Sequence, residues 1–144
     1  MNKEIKFRGM CIISGNWVYG DLIHGVGHKD GKLYILPLVK NLASVKHCDP
    51  LDGVEVDPKT IGQFTGLHDK SGKEIYEGDI LNVCNGSING RLWMQKPYSV
   101  KYILNKGFDI CMFCWDKDGN NIMDSTHWCE VIGNIYEHPE LLKP

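Results

Sequence analysis

Apolar and polar residues alternate over short runs along most of this chain, a period of two that predicts strands rather than helices. Ile5 and Phe7, then Met10 and Ile12, predict a first strand with a break or bulge at Gly9. Ser14-Gly15-Asn16 is a turn cluster. Trp17 and Tyr19, with Leu22 and Ile23 beyond Gly20, predict a second strand, so the two form a hairpin. Residues 25–31 make a long turn ending in Asp30-Gly31. Lys32 to Pro37 is a short strand closed by proline, and Val54-Glu55-Val56 is another, ended by Asp57-Pro58.

The second half repeats this grammar. A polar turn at Asp69–Lys73 precedes an alternating strand at Asp79–Cys84, and residues 85–90 are a loop. Strands are predicted at Tyr98–Leu104, Phe108–Trp115 and Trp128–Tyr136, with one helical turn after Pro139. Residues 41–50 have no convincing period. Short strands joined by Gly, Asp and Asn turns predict a mainly β fold with little helix: a small curled sheet or barrel with additional N-terminal hairpins.

Length leaves this picture as one domain over residues 1–144, with residues 39–53 the best place for a division into two lobes. A chain of 144 residues can bury a core without disulfides or metal. The formal net charge of −2 provides no global field toward nucleic acid or membrane. The charge is uneven, since residues 1–46 hold seven Lys/Arg against three acids and the remainder nine against fifteen. Such asymmetry can face a polyanion, or can draw two halves together. No apolar run reaches bilayer length, and residues 1–10 carry four charges with no apolar run behind them. This predicts a cytoplasmic protein without export, whose six cysteines are reduced thiols.

Residues 63–80 read QFTGLHDKSGKEIYEGDI, and residues 131–142 read VIGNIYEHPELL. With IKFRGM at residues 5–10, these motifs resemble the signature of the YopX family of phage and prophage proteins. The resemblance spans nearly the whole chain, although residues 83–100 match nothing in that signature. It implies a phage or prophage origin, a compact β-rich fold, a tendency to self-associate and a small SH3-like barrel around the strand Gly78-Asp79-Ile80. It implies no reaction and carries over no catalytic residue.

The central motif also has a reading of its own. Thr65-Gly66 and Gly72 supply bends, Asp69 is placed to accept N–H donors from the residues after it, Glu74 and Tyr76 flank the turn, and Gly78-Asp79 makes another corner. Glycines and aspartates in such runs are usually demanded by backbone geometry, so these residues are read as a structural corner.

Chemistry-bearing residues do not form a working set. Cys111 and Cys114 could join His127 and Cys129 around zinc, but the pair lies in an apolar strand-like run, where positions three apart face opposite sides. His24 and His28 are separated by glycines, and Cys48 only neighbours His47 in sequence. Glu74, Glu77 and Asp79 would need an apolar pocket to serve as acid and base. No phosphate-binding or dinucleotide motif occurs. No metal, cofactor or enzymatic activity is therefore expected. The loop-like segment Arg91, Trp93, Lys96 combines apolar and basic groups suited to contact with another chain.

Two readings remain. The first is a non-enzymatic interaction module that binds itself or an unidentified phage or host protein, with strand edges available for pairing. The alternative is a small-barrel nucleic-acid binder using the basic N-terminal half, which the net acidity disfavours. An enzyme with a deep pocket around Glu74, Glu77 or Asp79 stands third.

Overall fold

A computed structural model of the chain describes residues 4–24, 31–37, 53–83, 87–88, 91–92, 97–103, 107–109 and 129–143. The chain divides into two compact units, Met1–Phe64 and Thr65–Pro144. The division falls inside a strand. The boundary considered at 39–53 lies outside the described residues, apart from Gly53.

The first unit is an antiparallel meander. Strands β1 (Phe7–Met10), β2 (Trp17–His24), β3 (Leu33–Pro37) and β4 (Val54–Val56) pair in sequence order, and β5 (Gly62–His68) pairs the other side of β1. The β1–β2 turn is the predicted one: Cys11 N–H donates to Asn16 O at 2.9 Å, and Gly15 N–H to Cys11 O at 2.9 Å. Strand β6 (Glu74–Tyr76), of the second unit, pairs with β5 and ends the order β4-β3-β2-β1-β5-β6. The mainly β class is as the alternation predicts. The six-stranded sheet is open and does not close into a barrel.

That sheet is nonetheless curled at one end. Past β1 the chain turns back toward β4, where Cys11 and Val56 form an isolated antiparallel bridge. Ile12 N–H donates to Glu55 O at 3.2 Å, and Asp57 N–H to Met10 O at 2.8 Å. The expected break at Gly9 is absent, because Gly9 lies within β1 opposite Val18. Its requirement is close approach: a Cβ there would sit 2.9 Å from the Val56 side chain. A glycine needed for packing and one needed for a bulge look alike in sequence.

Tyr34, Ile35, Val54, Val56, Phe64 and Cys11 are buried in this unit. So are two cations. Lys6 Nζ lies 4.8 Å from the Phe64 ring centre and 3.2 Å from Glu4, while the Arg8 guanidinium lies 4.6 Å from the Trp17 ring. Ring faces compensate part of the desolvation of a cation held away from water. A 3-10 turn at Pro58–Thr60 leads into β5, with Asp57 Oδ1 accepting from Lys59 N–H at 3.0 Å. Buried Thr60 binds both ends of this junction. Its hydroxyl donates to Asp57 O at 2.7 Å and accepts from Met10 N–H at 2.8 Å.

The second unit is built on β7 (Asp79–Val83), flanked by β10 (Tyr98–Ser99) and β13 (Cys129–Asn134), both antiparallel to it. This is the Gly78-Asp79-Ile80 strand around which an SH3-like barrel is expected. Three strands are compatible with part of such a barrel. Ile132 is an extra residue in β13, since the register moves from Val131↔Leu81 to Gly133↔Ile80. Ile75, Leu81, Val100 and Cys129 form the buried cluster, with Leu67 and Val131 against it.

The remaining described strands are short: β8 (Ser87–Ile88) with β9 (Arg91–Leu92), and β11 (Lys101–Ile103) with β12 (Gly107–Asp109). The predicted strand 98–104 is thus divided at Val100. Its N–H donates to Asp79 O at 2.8 Å and its carbonyl accepts from Gly78 N–H at 2.9 Å. The predicted loop 85–90 contains a strand instead. Pro139–Leu142 forms the expected single turn, of 3-10 type. No helix among the described residues is long and apolar enough to cross a membrane.

Replacing Thr60 with valine removes the acceptor for Met10 N–H while keeping the side-chain shape. Chemical denaturation of T60V should show a loss of about 1–3 kcal/mol, whereas T60S should stay close to the parent.

Candidate functional site

The densest polar constellation among the described residues is the corner formed by residues 65–80 together with β13. Thr65 opens it: its hydroxyl donates to Ile75 O at 2.8 Å and accepts from Leu67 N–H at 3.2 Å. Gly66, Gly72 and Gly78 all have positive φ, at +85°, +84° and +87°. At Gly78 the requirement is double, because a Cβ would also meet the Tyr136 ring at 3.0 Å.

Asp69 is the centre. Its side chain lies in a residue only 2% exposed, yet both oxygens are used. Oδ1 accepts from Ser71 N–H at 2.8 Å, Ser71 Oγ–H at 2.7 Å and Lys73 N–H at 3.0 Å. Oδ2 accepts from Val131 N–H at 3.0 Å, across 62 residues of sequence. Burial pushes the carboxyl pKa up, but the hydrogen bonds from Ser71, Val131 and Lys73 outweigh it and hold the group at about 2. The main chain repeats the link. Lys70 N–H donates to Cys129 O at 2.9 Å, and Lys70 Nζ lies 2.8 Å from Glu130.

Asp79 is also buried, and its Oδ2 accepts from Tyr76 N–H at 2.8 Å. The Tyr76 hydroxyl donates to Glu74 at 2.7 Å. Two of the three carboxylates considered for acid–base chemistry are therefore engaged on one buried tyrosine. The third, Glu77, is half-buried in the turn between β6 and β7.

A further polar centre, Asn134, carries no signal in alternation or charge. Its Oδ1 accepts from Tyr136 N–H at 3.0 Å and Glu137 N–H at 2.9 Å, and its Nδ2 donates to Glu137 at 2.7 Å. This reciprocal arrangement resembles a capping box and folds the chain end after β13. The His138 ring then lies over Gly133, where a Cβ would come within 2.9–3.0 Å of it.

The other sequence candidates fare differently. Arg91 lies in β9, paired opposite Ile88, in a strand rather than the expected loop. Trp93 and Lys96 lie outside the described residues, as do Cys111, Cys114, His127, His28, His47 and Cys48. Cys129 is a buried thiol. Cys11 is too, and burial raises its pKa most. Hydrogen bonds from the Ser14 hydroxyl and the backbone at Ser14 and Ile13 nevertheless bring it below the ordinary thiol value, against a further upward push from Glu55. No group of three or more His, Cys, Asp or Glu side chains converges as a metal site among the described residues.

The Asp69 carboxyl makes stability acid-sensitive in a defined direction. Its folded pKa of about 2 lies below the ordinary 3.8, so the contribution is complete above about pH 4. It fades as the pH falls toward 2, and amounts to roughly 2 kcal/mol. Asp69→Asn should lower stability at neutral pH by a similar amount and flatten the slope between pH 4 and 2. Urea titrations at several pH values check both effects.

The chain as a whole is similar to a solved structure. The crystal structure of protein EF1440 from Enterococcus faecalis is similar, with a TM-score of 0.52 and 25% sequence identity, over 97% of this chain and 99% of that one. No protein with a curated description matches the chain significantly. The family model for YopX protein matches residues 6–143, so that the chain belongs to the YopX family.

Proposed function

We propose that this chain is a non-enzymatic interaction module of phage or prophage origin, acting in the cytoplasm and associating with copies of itself. The observation that carries this reading is the use made of the motif acids. Asp69 has four donors on its two oxygens, Asp79 accepts the Tyr76 N–H, and Glu74 accepts the Tyr76 hydroxyl. Groups committed in this way shape backbone; general acid–base chemistry needs a carboxyl that can exchange its proton with a substrate.

Apolar side chains left in solvent support the interaction half. Ile12 and Ile13, at the tip of the first hairpin, are 52% and 65% exposed; Ile5 and Tyr19 are 59% and 44% exposed. Adjacent aliphatic groups at a hairpin tip gain by being covered. The segment Arg91, Trp93, Lys96 remains a second proposed contact with an unidentified phage or host protein.

The nucleic-acid alternative loses support. Two of the N-terminal cations, Lys6 and Arg8, are buried against Phe64 and Trp17, and Lys32 lies 3.4 Å from Glu55. Those cations are engaged within the unit and poorly placed for phosphates.

Light scattering across a concentration series tests the proposal. The parent should gain mass with concentration, and Ile12→Ser with Ile13→Ser should weaken association about tenfold. A parent that stays monomeric at high concentration would end the self-association reading. Tight, salt-dependent binding to single-stranded DNA in an anisotropy titration would instead favour the alternative.

A further inference from the structure

The edges of small sheets are where unwanted strands attach, and among the described residues β13 is an edge in the three-stranded order β10-β7-β13. Its outward N–H at Val131 donates to a side-chain oxygen, Asp69 Oδ2, at 3.0 Å. Its outward carbonyl at Cys129 accepts from Lys70 N–H at 2.9 Å. An acceptor for residue 131 and a donor for residue 129 are the two bonds that one residue of a parallel neighbouring strand would make. Here one is a side chain and the other belongs to a turn, so the pairing cannot propagate.

We propose that Asp69 is an edge plug, whose carboxylate stands in for a strand carbonyl and denies β13 to a strand from a second copy of the chain. An ion pair between Lys70 and Glu130 adds a further link between this turn and β13. Asp69 is also held from behind, by Ser71 and Lys73, so the plug does not swing away when another strand approaches. The device does not depend on whether the parent associates through Ile12 and Ile13, because it concerns β13 and is read as a difference between variants.

The test uses Val131 as well as Asp69. The Val131 N–H points away from β7, so proline at 131 removes the outward donor without removing a β7–β13 ladder bond, a place where edge strands accept proline. Asp69→Ala, Asp69→Ala with Val131→Pro, and the parent are compared by light scattering at matched concentrations, with circular dichroism to verify folding. Asp69→Ala should raise self-association at least tenfold over the parent, and the added Val131→Pro should return it to the parent level. If Asp69→Ala alone unfolds, Asp69→Asn takes its place in the same comparison, and the same rise in mass with its reversal by Val131→Pro is required. A folded Asp69→Ala with parent mass overturns the proposal. So does a double variant that associates as strongly as Asp69→Ala, or one that stays unfolded, since the role of Asp69 would then lie in its own turn.

Discussion

A carboxylate taken out of water has to be surrounded by donors or give up its charge. Asp69 meets that condition with three groups of its own turn and one from β13. The turn alone could satisfy one oxygen; the second needs the far end of the chain. The charge therefore makes a local bend and a long-range contact interdependent. Around it the second unit assembles Ile75, Leu81, Val100 and Cys129, all contributed by segments that meet at this corner. Asp79 applies the same device on a smaller scale, spending a buried oxygen on the Tyr76 N–H.

Much of the local architecture was legible from the residues. The Ser14-Gly15-Asn16 turn, the strand at 54–56 and the proline-led turn at 139 rest on short-range rules, and those rules decide hydrogen bonding within a few positions. The half of Asp69 that bonds Ser71 and Lys73 belongs to the same class. What alternation could not supply was anything acting at distance. The bond to Val131 spans 62 residues, and the meeting of Cys11 with Val56 joins segments with no shared pattern. Val100 illustrates the point from the other side. Its neighbours alternate as one strand should, yet its own backbone pairs with Gly78 and Asp79, and the run is divided. Asn134 was invisible for a different reason: a single amide in an apolar stretch has no periodic signature, although its three side-chain bonds fold the chain end.

The cations near the N-terminus show how charge counts mislead. Summed along the chain they suggest a surface for a polyanion. In the fold, Lys6 and Arg8 lie against aromatic rings, and their charge is part of the interior. An aromatic face beside a buried guanidinium is an internal solvent, and a residue so placed is lost to external partners.

The contact of His138 with Gly133 has a consequence for how this chain can diverge. The imidazole occupies the space that any side chain at 133 would fill. The two positions are thus coupled through volume: a larger residue at one can be accommodated only with a smaller one at the other. Among relatives that keep the turn after Asn134, substitutions at these two places should be inherited as a pair, in the manner of a lock whose wards and key must be recut together.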